Sequence, residues 1–224
     1  MEEHQINKYR YERKYIIQNT YLSRFLSDVY SKDFIILFPK RRVNNIYLDD
    51  HNFSSLHHNF DGLSNREKYR IRWYGKQFEE SKKNFEIKIK SEFLNTKENF
   101  DLGLLKLNSF QHINDFYSMV KSELASSNKI NFIAKIYNKF PTLFNSYERM
   151  YFENKLKQIR LTIDNNLIYY SPLTNINYIE KYIIVELKYN NKIDLDNNLK
   201  NLSYTRYSKY VKGTSQTSFS SIIY

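Results

Sequence analysis

The stretch YRIRWY, Tyr69–Tyr74, alternates basic side chains with apolar ones. Successive side chains of a β-strand point to opposite faces, so Arg70 and Arg72 share one face while Ile71 and Trp73 share the other. A half-buried strand buries its apolar face. The two arginines therefore face either bulk solvent or other charged groups, and that choice decides which fold the sequence predicts.

The same alternation recurs along most of the chain, with basic residues and an acidic companion on the non-aliphatic face. The further segments with strand periodicity are Lys8–Tyr15, Val43–Leu48, Asn84–Lys90, Tyr147–Glu153, Gln158–Asp164, Leu167–Tyr170 and Tyr182–Tyr189. About eight strands with helices between them predict an antiparallel α+β fold. With no repeat and no linker rich in Gly, Pro or Ser, we interpret residues 1–224 as a single domain.

Helical patterns and turn signals separate these strands. Asp164–Asn166 has the composition of a hairpin turn between two strands. Gly213 is placed to cap the final helical segment. The predicted helical stretches are Thr20–Tyr30, Asn108–Ser126, Lys129–Lys139, which Pro141 would end, and parts of Asp194–Lys212.

The charged strand faces admit two interpretations. Solvent-facing surfaces explain any single strand best, since Lys-rich faces also guard against edge aggregation. If helices cover the aliphatic faces, however, the charged faces must point at one another, and a sheet that closes on itself acquires a charged interior. A dry interior of this kind is costly because buried cations need partners. A water-filled tunnel that holds a polyanion removes the difficulty.

The composition favours an anionic partner and excludes several kinds of site. The 224 residues include 35 Lys and Arg against 24 Asp and Glu, which gives a formal net charge of +11. The absence of cysteine excludes disulfides, zinc–thiolate sites and thiol nucleophiles. The apolar runs are too short for a membrane-spanning helix, and the N-terminal residues lack the apolar region of a secretory signal. We therefore expect a cytoplasmic protein.

Taken together, these motifs resemble the catalytic domain of the vacuolar transporter chaperone (VTC) family of polyphosphate polymerases, within the triphosphate tunnel metalloenzymes. The matching stretches are RYERKY at Arg10–Tyr15, VNNIYLDD at Val43–Asp50, DGLSNREKYRIRWYG at Asp61–Gly75, FEIKIK at Phe85–Lys90, YERMYF at Tyr147–Phe152, IRLTID at Ile159–Asp164, VELKY at Val185–Tyr189 and RYSKYVK at Arg206–Lys212. The resemblance implies an antiparallel eight-stranded tunnel with helices packed outside. It also implies transfer of the γ-phosphate of ATP to a growing polyphosphate chain with a divalent metal.

The resemblance also implies roles for individual residues. The residues that match the family's catalytic cations are Lys14, Arg70, Arg72, Lys88, Arg149 and Arg160. Those that match, or could supply, further contacts to polyphosphate are Lys188, Lys209, Lys212, Arg66 and Lys97. Glu186 matches the metal-binding glutamate and Glu12 is a second candidate; carboxylate oxygens suit Mn²⁺ or Mg²⁺. The expected ligands are ATP, orthophosphate and polyphosphate, and coupling to membrane translocation would need a membrane partner protein.

Two other functions stay open. Hydrolysis of tripolyphosphate, or of a nucleoside or RNA 5′-triphosphate, uses the same fold, but those relatives carry E-x-E-x-K in the first strand. Here Arg10 stands where the first Glu would fall, before Glu12 and Lys14, which favours the polymerase. A non-catalytic polyanion-binding module would have the same electrostatics. The cations are, however, spread over many strands, and no helix-turn-helix, RNP or zinc pattern for sequence-specific nucleic-acid binding occurs.

Overall fold

A computed structural model describes residues 11–92, 94–127, 130–156, 158–189, 202 and 204–218. It confirms a mixed fold built on a large antiparallel sheet. The strands are β1 (Tyr11–Gln18), β2 (Ile35–Asp49), β3 (Arg66–Tyr74), β4 (Ser81–Ser91), β5 (Leu94–Leu105), β6 (Phe140–Asn154), β7 (Ile159–Tyr170), β8 (Asn177–Ile179) and β9 (Tyr182–Tyr189). The helices are α1 (Leu22–Tyr30), α2 (Ser54–Phe60), α3 (Ile113–Ser126), α4 (Ile130–Ile136) and α5 (Lys209–Thr217).

The strands follow the hydrogen-bonded order β1-β9-β7-β6-β2-β3-β4-β5, with β8 beside β7. Over the described residues, β1 and β5 form the two ends of this order and do not pair with each other. The strand order is therefore that of an open sheet, and the predicted closed tunnel of eight strands is not observed. The antiparallel sheet is confirmed, and the placement of helices outside a tunnel stays a prediction.

The chain divides into two compact units. The first unit comprises Met1–Arg41, Tyr147–Leu167 and Ile179–Tyr207. The second comprises Arg42–Ser146, Ile168–Tyr178 and Ser208–Tyr224. The interpretation of residues 1–224 as one domain stays a prediction, and each unit has a core of its own.

The core of the first unit forms between α1 and the apolar faces of its strands. Phe25 and Val29 of α1 belong to the same buried cluster as Ile17 of β1, Leu161 of β7 and Val185 of β9. Leu161 lies between Arg160 and Thr162, and Glu186 follows Val185, so charged or polar side chains alternate with these core residues, as the period of two requires. Burial of one strand face against a helix therefore leaves the opposite face for charged side chains.

The second unit repeats this arrangement with different elements. Ile71 and Trp73 of β3 are fully buried and share a cluster with Phe85 of β4. Phe116 and Val120 of α3 belong to the same cluster. The sole tryptophan is thus a core residue, because it lies on the apolar face of the YRIRWY strand.

The predicted hairpin turn at Asp164–Asn166 is wrong. Asp164–Asn166 does not form a hairpin but lies within β7, which runs unbroken from Ile159 to Tyr170. Asn166 adopts a positive φ of 51°, a conformation that asparagine tolerates, so the strand continues past it. Several other strands also exceed their predicted lengths, and β5 and α2 carry no pattern that predicted them.

Gly213 is likewise not a helix cap. It lies inside α5 and is buried, and a Cβ at this position would collide with the Tyr169 ring and the Leu143 side chain. The residue is therefore small because α5 packs closely on its neighbours in the second unit. Most of the predicted segment before α5, residues 194–201, lies outside the described residues.

None of the helices in the described ranges is both long and apolar enough to cross a membrane.

The close packing of α5 gives a first test. Gly213→Ala would raise helix propensity, which alone favours folding, but the added methyl group would overpack the contact with Tyr169. We expect the free energy of unfolding to fall by about 1 to 2 kcal/mol, measured by urea denaturation. The control is Ser215→Ala on the half-buried part of α5, expected within about 0.5 kcal/mol of the parent protein. Stabilisation by Gly213→Ala would contradict the close packing.

Candidate phosphate-binding site

In the second unit, two arginines and a lysine share one carboxylate. Arg70 Nε donates to Glu86 Oε2 over 2.6 Å, and Arg72 Nη1 lies 3.8 Å from the same oxygen. Lys97 Nζ lies 2.6 Å from Glu86 Oε1. The contact follows from the register, because Arg70 and Glu86 are direct partners on β3 and β4. We call Arg70, Arg72, Glu86 and Lys97 the Glu86 cluster.

Glu86 is only 5% exposed, yet it stays ionised. Burial by itself would raise its pKa, but the charges of Arg70, Arg72 and Lys97 outweigh burial and hold the pKa at about 2. The cations also act on each other. The pKa of Lys97 is lowered, first by burial and further by Arg70 and Arg72, although Glu86 opposes this shift. The three cations outnumber the carboxylate they share, which suits the cluster to binding an additional anion.

A row of three lysines crosses the sheet beside this cluster. Lys88 on β4 is the direct partner of Lys68 on β3 and of Lys97 on β5. Like charges directly opposite each other on neighbouring strands destabilise a sheet. Lys68 Nζ donates to Ser208 Oγ over 3.0 Å, and Lys97 is bound to Glu86. An anion held over this row would reduce the repulsion between the lysines.

Two buried asparagine amides hold Arg72 through a chain of hydrogen bonds. Arg72 Nε donates to Asn45 Oδ1 over 2.8 Å, and Asn45 Nδ2 donates to Asn145 Oδ1 over 2.8 Å. Both asparagines are at most 1% exposed. The bond to Asn145 orients the Asn45 amide, and Asn45 in turn orients the Arg72 guanidinium.

In the first unit, two glutamates alternate with two lysines across β1 and β9. Lys14 Nζ lies 3.0 Å from Glu12 Oε1 and 3.7 Å from Glu186 Oε2. Lys188 Nζ lies 3.0 Å from Glu186 Oε1 and 3.8 Å from Glu12 Oε2. The antiparallel register pairs Lys14 with Glu186 and Glu12 with Lys188, so each acid faces a base. Lys14 is held further by a hydrogen bond of 3.1 Å to the Tyr207 carbonyl oxygen.

Arg149 on β6 is held by a carboxylate of the neighbouring strand. Its Nε and Nη2 donate to the two oxygens of Asp164 over 2.5 and 2.7 Å, a bidentate geometry. Burial would lower the pKa of Arg149, but the Asp164 carboxylate, with a further contribution from Glu186, raises it well above its usual value. The guanidinium therefore stays charged in a largely buried position.

The remaining predicted site residues lie at varied positions. Arg160 is exposed and pairs in register with Lys188, so it shares a face with Glu12 and Lys14. Arg66 Nη1 donates to the Leu63 carbonyl oxygen, at the start of β3. Lys212 lies with its ammonium 5.7 Å from the centre of the Tyr178 ring, and Lys209 is the first residue of α5. No contact shown for Arg66, Lys209 or Lys212 joins them to the Glu86 cluster.

The metal prediction rests on Glu186 and Glu12. In the described part of the chain, no group of three or more His, Asp and Glu side chains is arranged to hold a metal ion. Mg²⁺, however, is commonly bound through one or two carboxylates together with substrate phosphates and water. Two glutamates that surround the same two ammonium groups fit this kind of site. The predicted divalent metal therefore remains compatible with the donor atoms present.

Comparisons with known proteins agree with the residue pattern. The model of the VTC domain matches residues 9–218, nearly the whole chain. The chain belongs to the VTC domain family. A search among curated proteins finds no match. Family membership confirms the resemblance that the strand motifs indicated.

Solved structures show the same fold in distant proteins. A candidate adenylyl cyclase from Hippeastrum, described as having a dominant triphosphatase activity, has 15% sequence identity and a TM-score of 0.53, over 92% of this chain and 95% of that one. A candidate adenylate cyclase from Bacillus halodurans has 13% identity and a TM-score of 0.53, over 92% of this chain and 96% of that one. At these identities the likeness concerns the fold alone.

Sequence reasoning missed the groups that hold the cations in place. The sequence assigns Asp164 to a hairpin turn and gives Asn45 no role beyond its place in the motif VNNIYLDD. A detectable signal existed in both cases, since each polar residue is next to an isoleucine that the strand buries. What the sequence could not supply was the partner, because Arg149 and Asp164 are 15 residues apart on different strands.

The Glu86 cluster predicts how stability depends on pH. The pKa of Glu86 falls from an ordinary 4.5 to about 2 in the folded protein, so the interaction contributes stability above pH 4.5. That contribution is lost as the pH falls through about 2. We expect Glu86→Gln to lower the free energy of unfolding by about 3 kcal/mol at neutral pH.

The difference between parent and variant should shrink as the pH approaches about 2, because both then carry a neutral side chain at position 86. Urea denaturation at several pH values measures this difference. Glu79→Gln, at an exposed side chain that pairs with Lys76, serves as the control and should cause little change. If the loss in free energy of unfolding caused by Glu86→Gln were the same at neutral pH and at pH 2, ionised Glu86 would not be the source of this stability.

Proposed function

We propose that this protein is an ATP-dependent polyphosphate polymerase that transfers the γ-phosphate of ATP to a growing polyphosphate chain. The observation that supports the proposal most is the arrangement of cations in the second unit. Lys68, Lys88 and Lys97 lie side by side across three strands, next to the two arginines that share Glu86. Cations lined up in this way attract a polyanion, and a string of phosphates provides one negative charge after another along the row.

The two kinds of cation suit different parts of the substrate. Arginine grips phosphate through paired N–H donors, whereas lysine acts as a point charge that tolerates a moving chain. Arg70, held by Glu86, and Arg72, held by Asn45, would grip phosphates in the second unit. Arg149, held by Asp164, would grip phosphates in the first unit. The lysine row would follow the polymer as it grows.

Phosphoryl transfer needs little covalent help from a protein. Most of the rate comes from positioning and from neutralising charge on the transferred group. The attacking group would be an already ionised phosphate oxygen, so no protein base is required. Lys14, held by Glu12, Glu186 and the Tyr207 carbonyl oxygen, would place its charge near the transferred phosphoryl group.

Glu186 and Glu12 would hold a divalent metal, Mn²⁺ or Mg²⁺. When bound, such an ion supplies positive charge that offsets part of the negative charge of the triphosphate. Lys14 and Lys188 lie within ion-pair distance of these two glutamates and would contact phosphates bound beside them.

A triphosphatase is the second candidate, and one observation favours it. The Hippeastrum protein with the same fold is described as having a dominant triphosphatase activity. The first strand of this chain argues for the polymerase, since Arg10 replaces the first glutamate of the E-x-E-x-K pattern. Arg10 lies outside the described residues, so this argument rests on the sequence and the family resemblance.

Product analysis separates the candidate functions. Incubation of the protein with ATP and Mn²⁺ or Mg²⁺ should yield ADP and a polyphosphate ladder on a stained gel. Orthophosphate without any ladder would identify a hydrolase. ATP left intact, with polyphosphate nevertheless retained by the protein, would identify a non-catalytic binding module. Either result would overturn the polymerase proposal.

The metal assignment has its own test. Glu186→Gln keeps the size of the side chain and removes its charge, so polyphosphate formation should require about 10 to 100 times more metal. The assay is ATP-dependent polyphosphate formation over a metal titration. Glu79→Gln, which changes an exposed glutamate in the second unit, should leave the titration unaltered. If Glu186→Gln retains the parent activity and metal dependence, Glu186 is not a ligand.

A further inference from the structure

An exposed aromatic pair lies close to Arg149 in the first unit. Phe38 of β2 is 48% exposed, and its ring packs edge to face against Tyr151 of β6, with ring centres 5.8 Å apart. Single exposed apolar side chains are common on protein surfaces. This pair is of interest because of the charged groups that lie beside it.

A guanidinium group lies within cation–π distance of both rings. The Cζ of Arg41 lies 5.7 Å from the centre of the Phe38 ring and 4.9 Å from that of Tyr151. Arg41 Nε also donates to the Tyr151 hydroxyl oxygen over 3.1 Å. Phe38, Arg41 and Tyr151 thus form one partly exposed group, which we call the Tyr151 platform. The hydrogen bond and the two cation–π contacts hold the Arg41 guanidinium beside the rings.

The Tyr151 platform is continuous with a residue that holds phosphate in the proposed function. Tyr151 and Arg149 are alternate residues of β6, so they share a face of the strand. The Cζ of Arg149 lies 6.0 Å from the centre of the Tyr151 ring. Arg149 is fixed in turn by Asp164. A phosphate-binding guanidinium and a stacking surface therefore lie about one strand repeat apart, roughly 7 Å along β6.

Nucleoside triphosphates carry the two groups that this pairing would recognise. Their phosphates bind guanidinium groups, and their bases stack on aromatic rings and on the flat face of arginine. An inorganic polyphosphate has no such ring and gains nothing from an aromatic surface.

We infer that Phe38, Arg41 and Tyr151 form a nucleobase-stacking subsite, where the base of the phosphate donor lies while its phosphates reach Arg149. The inference rests on the proposed function and adds to it the part of the protein that distinguishes a nucleotide from an inorganic polyphosphate. Because every base has a flat face, a subsite of this kind accepts different nucleobases without reading their hydrogen-bonding edges.

Binding of two probes tests the subsite, using ATP and inorganic tripolyphosphate in isothermal titrations of the full chain with Mg²⁺. Phe38→Leu removes a ring that has no contact shown with Arg149, and it keeps an apolar side chain at a half-exposed position. We expect it to weaken ATP binding about tenfold, as loss of one base–aromatic stack does, and to leave tripolyphosphate binding unchanged.

Two further variants complete the test. Arg41→Lys keeps the positive charge but loses the flat stacking surface, so it should also weaken ATP binding selectively. Tyr137→Leu, at a ring that is 88% exposed elsewhere in the chain, is the control and should change neither affinity. If Phe38→Leu does not fold, the titrations of Arg41→Lys with ATP and tripolyphosphate test the subsite alone.

The outcomes separate this inference from the proposed function. Selective loss of ATP affinity in Phe38→Leu and Arg41→Lys supports the subsite. Unchanged ATP affinity in both variants, or equal loss for ATP and tripolyphosphate, overturns the subsite while leaving the proposed function intact. A parent protein that binds neither ATP nor tripolyphosphate overturns the proposed function itself.

Discussion

Pairing of acid with base on neighbouring strands is the interaction on which both clusters depend. Lys14 faces Glu186 across β1 and β9, and Arg70 faces Glu86 across β3 and β4. Each pair stands on the strand face opposite the core, where an isolated charge at low exposure would be costly. A register slip of one residue would turn the whole charged face toward the helices. The register therefore maintains the apolar core and the charged surface at the same time.

These carboxylates do more than neutralise charge. Glu86 and Asp164 are nearly inaccessible to solvent, so the surrounding protein holds their carboxylates in place. The arginines bound to them therefore point in defined directions. Preorganised cations are what phosphoryl transfer requires, because little energy is then spent on reorienting the protein when charge develops. The Asn45–Asn145 relay adds a second support to Arg72. The positioning groups are thus as important to the proposed chemistry as the cations themselves.

Strand identity and the composition of the strand faces could be predicted because both depend on local periodicity. The segments YRIRWY and VELKY alternate so clearly that burial follows their period of two almost residue by residue. Turn prediction failed where a residue tolerates two conformations. Asp164–Asn166 has the composition of a hairpin turn, but β7 continues through these residues, and Asn166 accommodates this with a positive φ. The prediction that Gly213 caps a helix failed for a related reason, since a closely packed helix contact favours glycine just as a helix cap does.

The sequence alone determined which residues are charged, which strand face they occupy, and that the chain resembles the VTC family, because alternation and motif order are properties of the chain itself. Only the tertiary structure decided which charges meet. Lys97 reaches Glu86, Arg149 reaches Asp164, and Arg41 reaches Tyr151 through contacts between different strands. Such contacts depend on register and strand order, which hydrogen bonding across the folded sheet sets and which no local pattern contains.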